Sequence, residues 1–444
     1  MNSRAVDVGH LIDNGRWGGY QRFLVGLTAT AIIFDGIDNQ LMGVAIPTIM
    51  RDWSVQRSEF APVVSLGYVG MMIGGAVAGL AGDRIGRRIA LVGSMLLFGV
   101  MTMAMTLVDN IAALAALRCI TGIGLGGAIP NAAALSAEYV PVRQRPFAVT
   151  LTILCIPVGA TLAGLIAIPV LPTYGWRTLF FFGGLAPVVA AVALRWLLPE
   201  SPRFLARHPA RRDELARSLA RMGHDVPPGA ELVDSGSAGV TRASIGALFT
   251  REFRHDSSSL WAAYFSCMLA VYLGFSWVPS MLTGAGYSSS VASTGITVFN
   301  LGGVVGALIA GVCITVWGTR LAMLTMAALA VASAGTMAFV NLSPAAAVLP
   351  VFVLLATTGG LLNAVQTTMY ALGAHVYPAA IRATGVGAAV SFGRVGAVVS
   401  GYAGAWALEH GGPATFFIVM AGSMIVCWLA LAAVRRHVPP RRTA

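Results

Sequence analysis

Gly79-Leu80-Ala81-Gly82-Asp83-Arg84-Ile85-Gly86-Arg87-Arg88 is a polar turn between two long apolar runs. Gly311-Val312-Cys313-Ile314-Thr315-Val316-Trp317-Gly318-Thr319-Arg320 is a second such turn, in which Gly311 answers Gly79 and Gly318 answers Gly86. A further pair follows. Glu138-Tyr139-Val140-Pro141-Val142-Arg143 is matched by His375-Val376-Tyr377-Pro378 and then Arg382, and Glu138 stands off from His375 nearly as far as Gly79 from Gly311. Matched turns at nearly one offset imply a duplicated unit. Glycine in such a turn lets two helices approach closely. Asp83 can cap a helix end or pair with an Arg of the other half, as a latch that breaks when the cytoplasmic side opens. The second copy holds Thr315 in its place, so any latch is asymmetric.

The surrounding chain is membrane-like. Of 444 residues, 57% are hydrophobic and 11% charged, against about a quarter charged in soluble domains. Mean hydropathy is +0.76. A soluble enzyme and a disordered chain are excluded. Twelve continuous apolar runs are long enough to span a bilayer: 22–49, 59–81, 89–108, 111–136, 146–171, 178–198, 259–283, 290–316, 320–340, 345–373, 383–407 and 414–434. All 29 basic residues are Arg, a composition that suggests a GC-rich bacterial genome. With the N-terminus inside, 23 of them fall in inner segments and only Arg51, Arg57 and Arg177 outside. The positive-inside rule thus places both termini in the cytoplasm. The net charge of +11 is topological and gives no support to a nucleic-acid partner.

The spacing divides the chain into a cytoplasmic tail (1–21), a six-span half (22–198), a linker (199–258), a second six-span half (259–434) and a cytoplasmic tail (435–444). The expected fold is all-α and integral to the membrane, with two pseudo-symmetric halves. Within the linker, Pro209 to Arg221 has helical spacing with Leu215 and Leu219 on one face, Pro227 to Gly239 is rich in Pro, Gly and Ser, and Ile245 to Phe249 is a short amphipathic piece. The five Cys stand singly in apolar runs, as small packing residues do, and predict neither a disulfide framework nor a metal site. The first apolar run is too long for a signal peptide.

The first turn resembles the signature of the major facilitator superfamily, and Arg118-x3-Gly122-x-Gly124-x-Gly126 is similar to its second signature. Pro199-Glu200-Ser201-Pro202-Arg203 resembles the turn after span six in its sugar and organic-ion branches. The Pro and Gly pair of drug/proton antiporters is missing from Gly159-Ala160-Thr161-Leu162-Ala163-Gly164. A narrower resemblance is to the aromatic acid:proton symporters. It rests on Asp35-Gly36-Ile37-Asp38 with Gly43 and Pro47, on Gly126-Gly127-Ala128-Ile129-Pro130-Asn131, and on Arg382-Ala383-Thr384-Gly385-Val386-Gly387 continuing to Gly393-Arg394-Val395-Gly396-Ala397. The resemblance implies the major facilitator fold, location in a bacterial inner membrane, and uptake of hydroxybenzoates, benzoate, gentisate or hydroxyphenylpropionates with protons.

Ionisable residues deep in spans are functional candidates. With a helical rise of about 1.5 Å per residue, Asp35, Asp38, Arg118 and Arg394 fall near one level. Asp35 and Asp38 share a helix face. Two desolvated carboxylates this close resist being ionised together, which suits a proton-coupling pair with Arg118 as counter-ion. A fixed Asp–Arg bridge is the alternative. The planar fork of Arg394 matches a substrate carboxylate, with a bridge to another span as the alternative. Asn363, Gln366 and Tyr370 form a polar stripe at i, i+3, i+7 and, with Trp277, Asn300 and Asn131, are the expected substrate contacts. Tyr272, Phe275 and Phe299 are candidate aromatic walls; Asn39, Gln40 and Tyr68 are further polar candidates. For each of these, packing or interhelical hydrogen bonding is the alternative. Asp83, Arg84, Gly86, Arg87, Arg88, Glu138, Arg143, His375 and Arg382 are expected to act in gating, with helix capping as the alternative for Glu138 and His375.

The resulting expectation is a proton-coupled importer of an aromatic carboxylate that works as a monomer, without a cofactor other than the proton. A major facilitator transporter of another solute (a sugar, an organic ion or an effluxed drug) is the alternative, and a receptor that binds without flux is a third. An embedded enzyme is disfavoured: there is no H-E-x-x-H, no mid-span His and no Ser–His or Cys–His pair at one depth.

Overall fold

The computed structural model describes residues 6–224, 232–233, 245–344 and 347–440. Residues 1–5, most of the Pro227 to Gly239 stretch and residues 441–444 lie outside the described residues. The helices are α1 (Val8–Asp13), α2 (Gly19–Trp53), α3 (Arg57–Ile85), α4 (Arg87–Ala104), α5 (Ile111–Glu138), α6 (Arg145–Leu197), α7 (Pro202–Ala206), α8 (Arg212–Arg221), α9 (Arg254–Gly284), α10 (Ser289–Phe339), α11 (Val348–Val376) and α12 (Ala379–Ala433).

Among the described residues, eight helices are long and apolar enough to cross a membrane. Three of them hold two crossings each. α6 turns at Gly175, α10 at Gly318 and α12 at Gly412, with φ of 76°, 75° and 61°. With ψ near 180° as well, a side chain there costs about 1–3 kcal/mol, so glycine is the residue that reverses the chain here. α2 is the remaining crossing; Asp35, Asp38, Asn39 and Gln40 dilute its apolarity. The crossings therefore number twelve, and the fold is the expected all-α membrane bundle.

The backbone repeats as the sequence does. Gly86, at φ 108° between α3 and α4, is separated from Gly318 by the same offset as Gly79 from Gly311. Gly175 is separated from Gly412 by the same offset as Glu138 from His375. Each copy is clamped differently. In the first half, the Glu200 carboxylate accepts from the backbone N–H of Arg88 (2.9 Å) and of Ser201 (3.0 Å). In the second, the backbone N–H of Thr319 donates to the Val438 carbonyl (3.0 Å), and that of Val438 to the Thr319 hydroxyl (2.8 Å).

Element ends differ modestly from expectation: α2 begins at Gly19 and α9 at Arg254, inside segments expected to be tail and linker. The tail is also more ordered than a free tail. Val8 and Ile12 of α1 bury against Leu205, Leu215 and Leu219, a small core apart from the bundle. Val6–Asp7 (β1) pairs in parallel with Leu232–Val233 (β2), and Asp13 joins Arg145 and Arg203. Across the bundle, α9 packs on α12 and α2, α10 on α6, and α12 on α3, so the two halves meet along these helices.

Candidate functional site

Asp35 stands at the middle of α2, nearly midway between Gly19 and Trp53. Gly36 beside it has no room for a Cβ, because the α6 backbone at Ile156 lies against it. That close contact turns Asp35 and Asp38 away from α6 toward the interior, where both are fully buried.

The two carboxylates have different fates. Asp38 accepts from the Arg118 guanidinium at 3.0 Å and from the Thr102 hydroxyl. Arg118 also reaches the Asn39 carbonyl at 3.4 Å. Among the described residues, neither oxygen of Asp35 has a hydrogen-bond partner. Its charged surroundings are Asp38, Arg394 and Arg118. The expected Asp pair with a shared counter-ion is thus a committed Asp38–Arg118 bridge beside an uncommitted Asp35. Several uncharged groups, among them the Tyr264 hydroxyl and the Trp277 indole N–H, are also buried without a partner among the described residues, but a carboxylate in that position within a span is the costlier case and is a functional candidate.

Arg394 reaches across from α12 to the first half, where its guanidinium donates to the Met71 carbonyl of α3 at 2.6 Å. That bond uses a single N–H and leaves the rest of the donor fork available. Its other neighbours include Asp35, Tyr272 and Tyr370. The rings of Tyr68 and Tyr272 meet edge-on at 4.6 Å, Tyr272 and Phe275 lie 5.8 Å apart, and Tyr264 and Tyr370 5.8 Å apart. Aromatic faces therefore surround the Asp35–Arg394 level. Beside them, Asn39, Tyr68, Arg118 and Ser276 border a gap of about 10 Å3, room for one water.

The other expected contacts divide. Tyr370 lies near Arg394, whereas Asn363 donates to its own Gly359 carbonyl (2.9 Å) and packs on Gly303, within the α10–α11 contact. The stripe therefore does not act as one face. Gln366 is half-buried. Asn300 donates to the Gln40 side chain (3.0 Å), which donates to the Phe275 carbonyl (3.0 Å), joining the halves. The Asn300 side-chain oxygen and the Trp277 indole N–H are buried without partners among the described residues. Asn131 is removed from this centre: its amide bridges the Ala78 (3.0 Å) and Gly127 (2.9 Å) carbonyls and holds α3 to α5.

The gating candidates are also sorted. Asp83 pairs with Arg87 of its own half (2.8 Å), not with an Arg of the other. Arg87 also meets Glu138 at 3.2 Å, and the Ser201 hydroxyl donates to Glu138. Arg88 donates to the Leu198 carbonyl (3.3 Å) and Arg382 to the Tyr377 carbonyl (3.3 Å). Arg84, Arg143 and His375 are exposed. Glu138 and its repeat mate His375 therefore play unlike parts.

Hydrogen bonds between the halves lie elsewhere. Arg57 donates to Ser280 (3.4 Å), the Ser58 backbone N–H to Glu409 (2.7 Å) and Ser65 to the Val398 carbonyl (2.8 Å), and Tyr68 shares a 2.7 Å bond with Ser276. With the Gln40, Asn300 and Arg394 bonds, they run from the outer end of α3 to Met71, about 21 Å inward. Thr102, Ser276 and the Met71 carbonyl carry no signal in the sequence beyond a lone polar group or a backbone atom in an apolar run.

The chain matches the family profile described as the Major Facilitator Superfamily over residues 28–401 and 260–444. It is 33% identical to the gallate transporter of Pseudomonas putida over 91% of this chain and 90% of that protein. It is 34% identical to a 4-hydroxybenzoate transporter of Acinetobacter baylyi, over 97% of this chain and 93% of the other. A crystal structure of a bacterial homolog of the human lysosomal transporter Spinster superposes with a TM-score of 0.68 at 15% identity, covering 94% of this chain and 97% of that one. With its twelve crossings, duplicated turns and buried centre, this multi-pass membrane protein belongs to the major facilitator superfamily, within its aromatic acid transporters.

Proposed function

We propose that this protein carries an aromatic carboxylate into a bacterial cell across the inner membrane in symport with a proton. Asp35 carries the proton. Asp38 and Arg118 form the fixed pair that keeps a second charge from competing for it. Arg394 exchanges its Met71 carbonyl for the substrate carboxylate, while Tyr272 and Tyr370 supply flat apolar contact. The protein works as a monomer and needs no cofactor other than the proton.

The observation that carries this reading is the contrast between Asp35, buried with both oxygens unpartnered among the described residues, and Asp38, three residues on and engaged by Arg118 and Thr102. A carboxylate held in a bilayer without a partner costs several kcal/mol while charged. A proton arriving on Asp35 neutralises it. Loading and unloading that proton is therefore tied to which side the centre faces. Relatives named as gallate and 4-hydroxybenzoate transporters support the substrate class.

The test is accumulation in sealed proteoliposomes under an imposed inward pH gradient. Labelled 4-hydroxybenzoate is expected to accumulate and to collapse with a protonophore, while a labelled glucose analogue does not accumulate. Accumulation of the sugar in place of the acid, or acid uptake that ignores the gradient, refutes the proposal.

A further inference from the structure

A second concave surface lies away from this centre. A groove of about 800 Å3 opens on the outer face of the bundle between α10 and α11. It is walled by apolar side chains, among them Val298, Val305, Trp317, Leu321, Leu329 and Leu361. Val305, Trp317, Leu321 and Leu329 are about half exposed. From Val298 to Trp317 the groove follows the helix for about 28 Å, close to the thickness of a hydrocarbon core. Trp317 stands at its inner end, the level at which Trp meets lipid headgroups. Arg320 follows at the turn, exposed, and makes no ion pair among the described residues.

We propose that this groove holds an acyl chain of an anionic phospholipid of the inner leaflet, with the headgroup phosphate on Arg320. Arg320 lies in the chain between the lining residues Trp317 and Leu321, beside His437 of the C-terminal tail, and an anionic headgroup supplies the complement to its charge that a zwitterionic lipid supplies less well. A free phosphate would leave the apolar wall uncovered. A second copy fits poorly: a two-fold dimer would set this hollow against itself, and two hollows do not fill each other.

The test uses the full chain purified in mild detergent and titrated with phosphatidylglycerol or phosphatidylcholine of matched chains, with bound lipid counted by native mass spectrometry. Wild type is expected to retain phosphatidylglycerol about fivefold more tightly, the worth of one Arg near a membrane surface. Arg320→Gln abolishes that preference and Arg320→Lys keeps it. Val305→Trp, which fills the groove, lowers retention of both lipids; Ile309→Trp serves the same purpose if that variant does not fold. Equal retention of the two lipids by wild type, an unchanged preference in Arg320→Gln, or unchanged retention in the folded Trp variant overturns the proposal. A wild-type dimer that the Trp variant breaks assigns the groove to a second copy instead.

Discussion

Asp35→Asn isolates the proposed proton step. The change is isosteric and leaves the site permanently neutral, the state that a bound proton would produce. Asp38 is engaged by Arg118 and Thr102, so on the proposed mechanism Asp35 is the one carboxylate left to titrate and one proton moves per cycle. One proton with one monoanion is electrically silent. The driving force is then the pH gradient alone, about 1.4 kcal/mol or tenfold accumulation per pH unit. In proteoliposomes with a gradient of one unit, wild type is expected to accumulate labelled 4-hydroxybenzoate about tenfold, with no response to a potassium diffusion potential. Asp35→Asn should bring the ratio to one. Counterflow, in which labelled substrate exchanges for unlabelled, should persist, because it needs the carrier to reorient loaded but not to release a proton. Accumulation by Asp35→Asn in proportion to the gradient would refute the assignment. A wild-type ratio that follows the membrane potential would show a second proton and place Asp38 in the titrating site.

Three further outcomes follow from named contacts. Arg394→Ala should raise KM for the carboxylate by at least tenfold in initial-rate uptake, with Arg394→Lys intermediate because it keeps the charge but loses the planar fork; equal KM values would assign Arg394 to bridging alone. Asp38→Asn leaves Arg118 buried without its counter-charge and should cost about 3–5 kcal/mol, whereas Asp38→Asn with Arg118→Gln should melt closer to wild type than either single change; melting of purified protein in detergent reads the cycle. Gly175→Ala meets no neighbour among the described residues and should lose only what its positive-φ backbone costs, about 1–3 kcal/mol. Gly86→Ala must also displace the Glu200 carboxylate that holds Arg88, so its melting temperature should fall further, and equal shifts would argue against that clamp.

The architecture is legible because two of its determinants are periodic in the sequence. Apolar run length reports crossings, and the two offsets report duplication. The positive-φ glycines, Gly86 with Gly318 and Gly175 with Gly412, repeat the same offsets in the backbone. The site is legible in membership more than in pairing. Asp35, Asp38, Arg118 and Arg394 can be found from charge at depth alone. Which Asp takes Arg118 depends on the rotation of α2 against α5, and no residue count along one helix reports that angle. Asn131 shows the same limit. Its depth and polarity fit a cavity residue, yet its amide closes on the carbonyls of Ala78 and Gly127, because polar side chains in a bilayer take the nearest backbone acceptor. The sequence leaves Asp83 free to cap a helix end or to reach an Arg of the other half, but Arg87 one turn along the chain is nearer.

The chemistry that joins the halves bears on how easily they part. Among the described residues, no ion pair spans them; every salt bridge of the inner turns, including Asp83–Arg87 and Arg87–Glu138, stays within one half or reaches the linker or a tail. The outer closure consists of hydrogen bonds, several of them between neutral groups such as Tyr68 with Ser276 and Asn300 with Gln40. A typical bond of this kind contributes about 0.5–1.5 kcal/mol net, because its groups find other partners when it opens. A buried ion pair broken across the same gap would cost about 3–5 kcal/mol at once. The energy that the proposed proton coupling would supply per step is of the smaller order, about 1.4 kcal/mol for each pH unit that a proton crosses. A seam of separate weak bonds can be undone one at a time on that scale. Arg394 is the member of the seam that substrate would engage directly, since its bond to Met71 is the one a carboxylate can replace. On the proposed role of Arg394, substrate arrival and loosening of the seam at mid-depth would be one event.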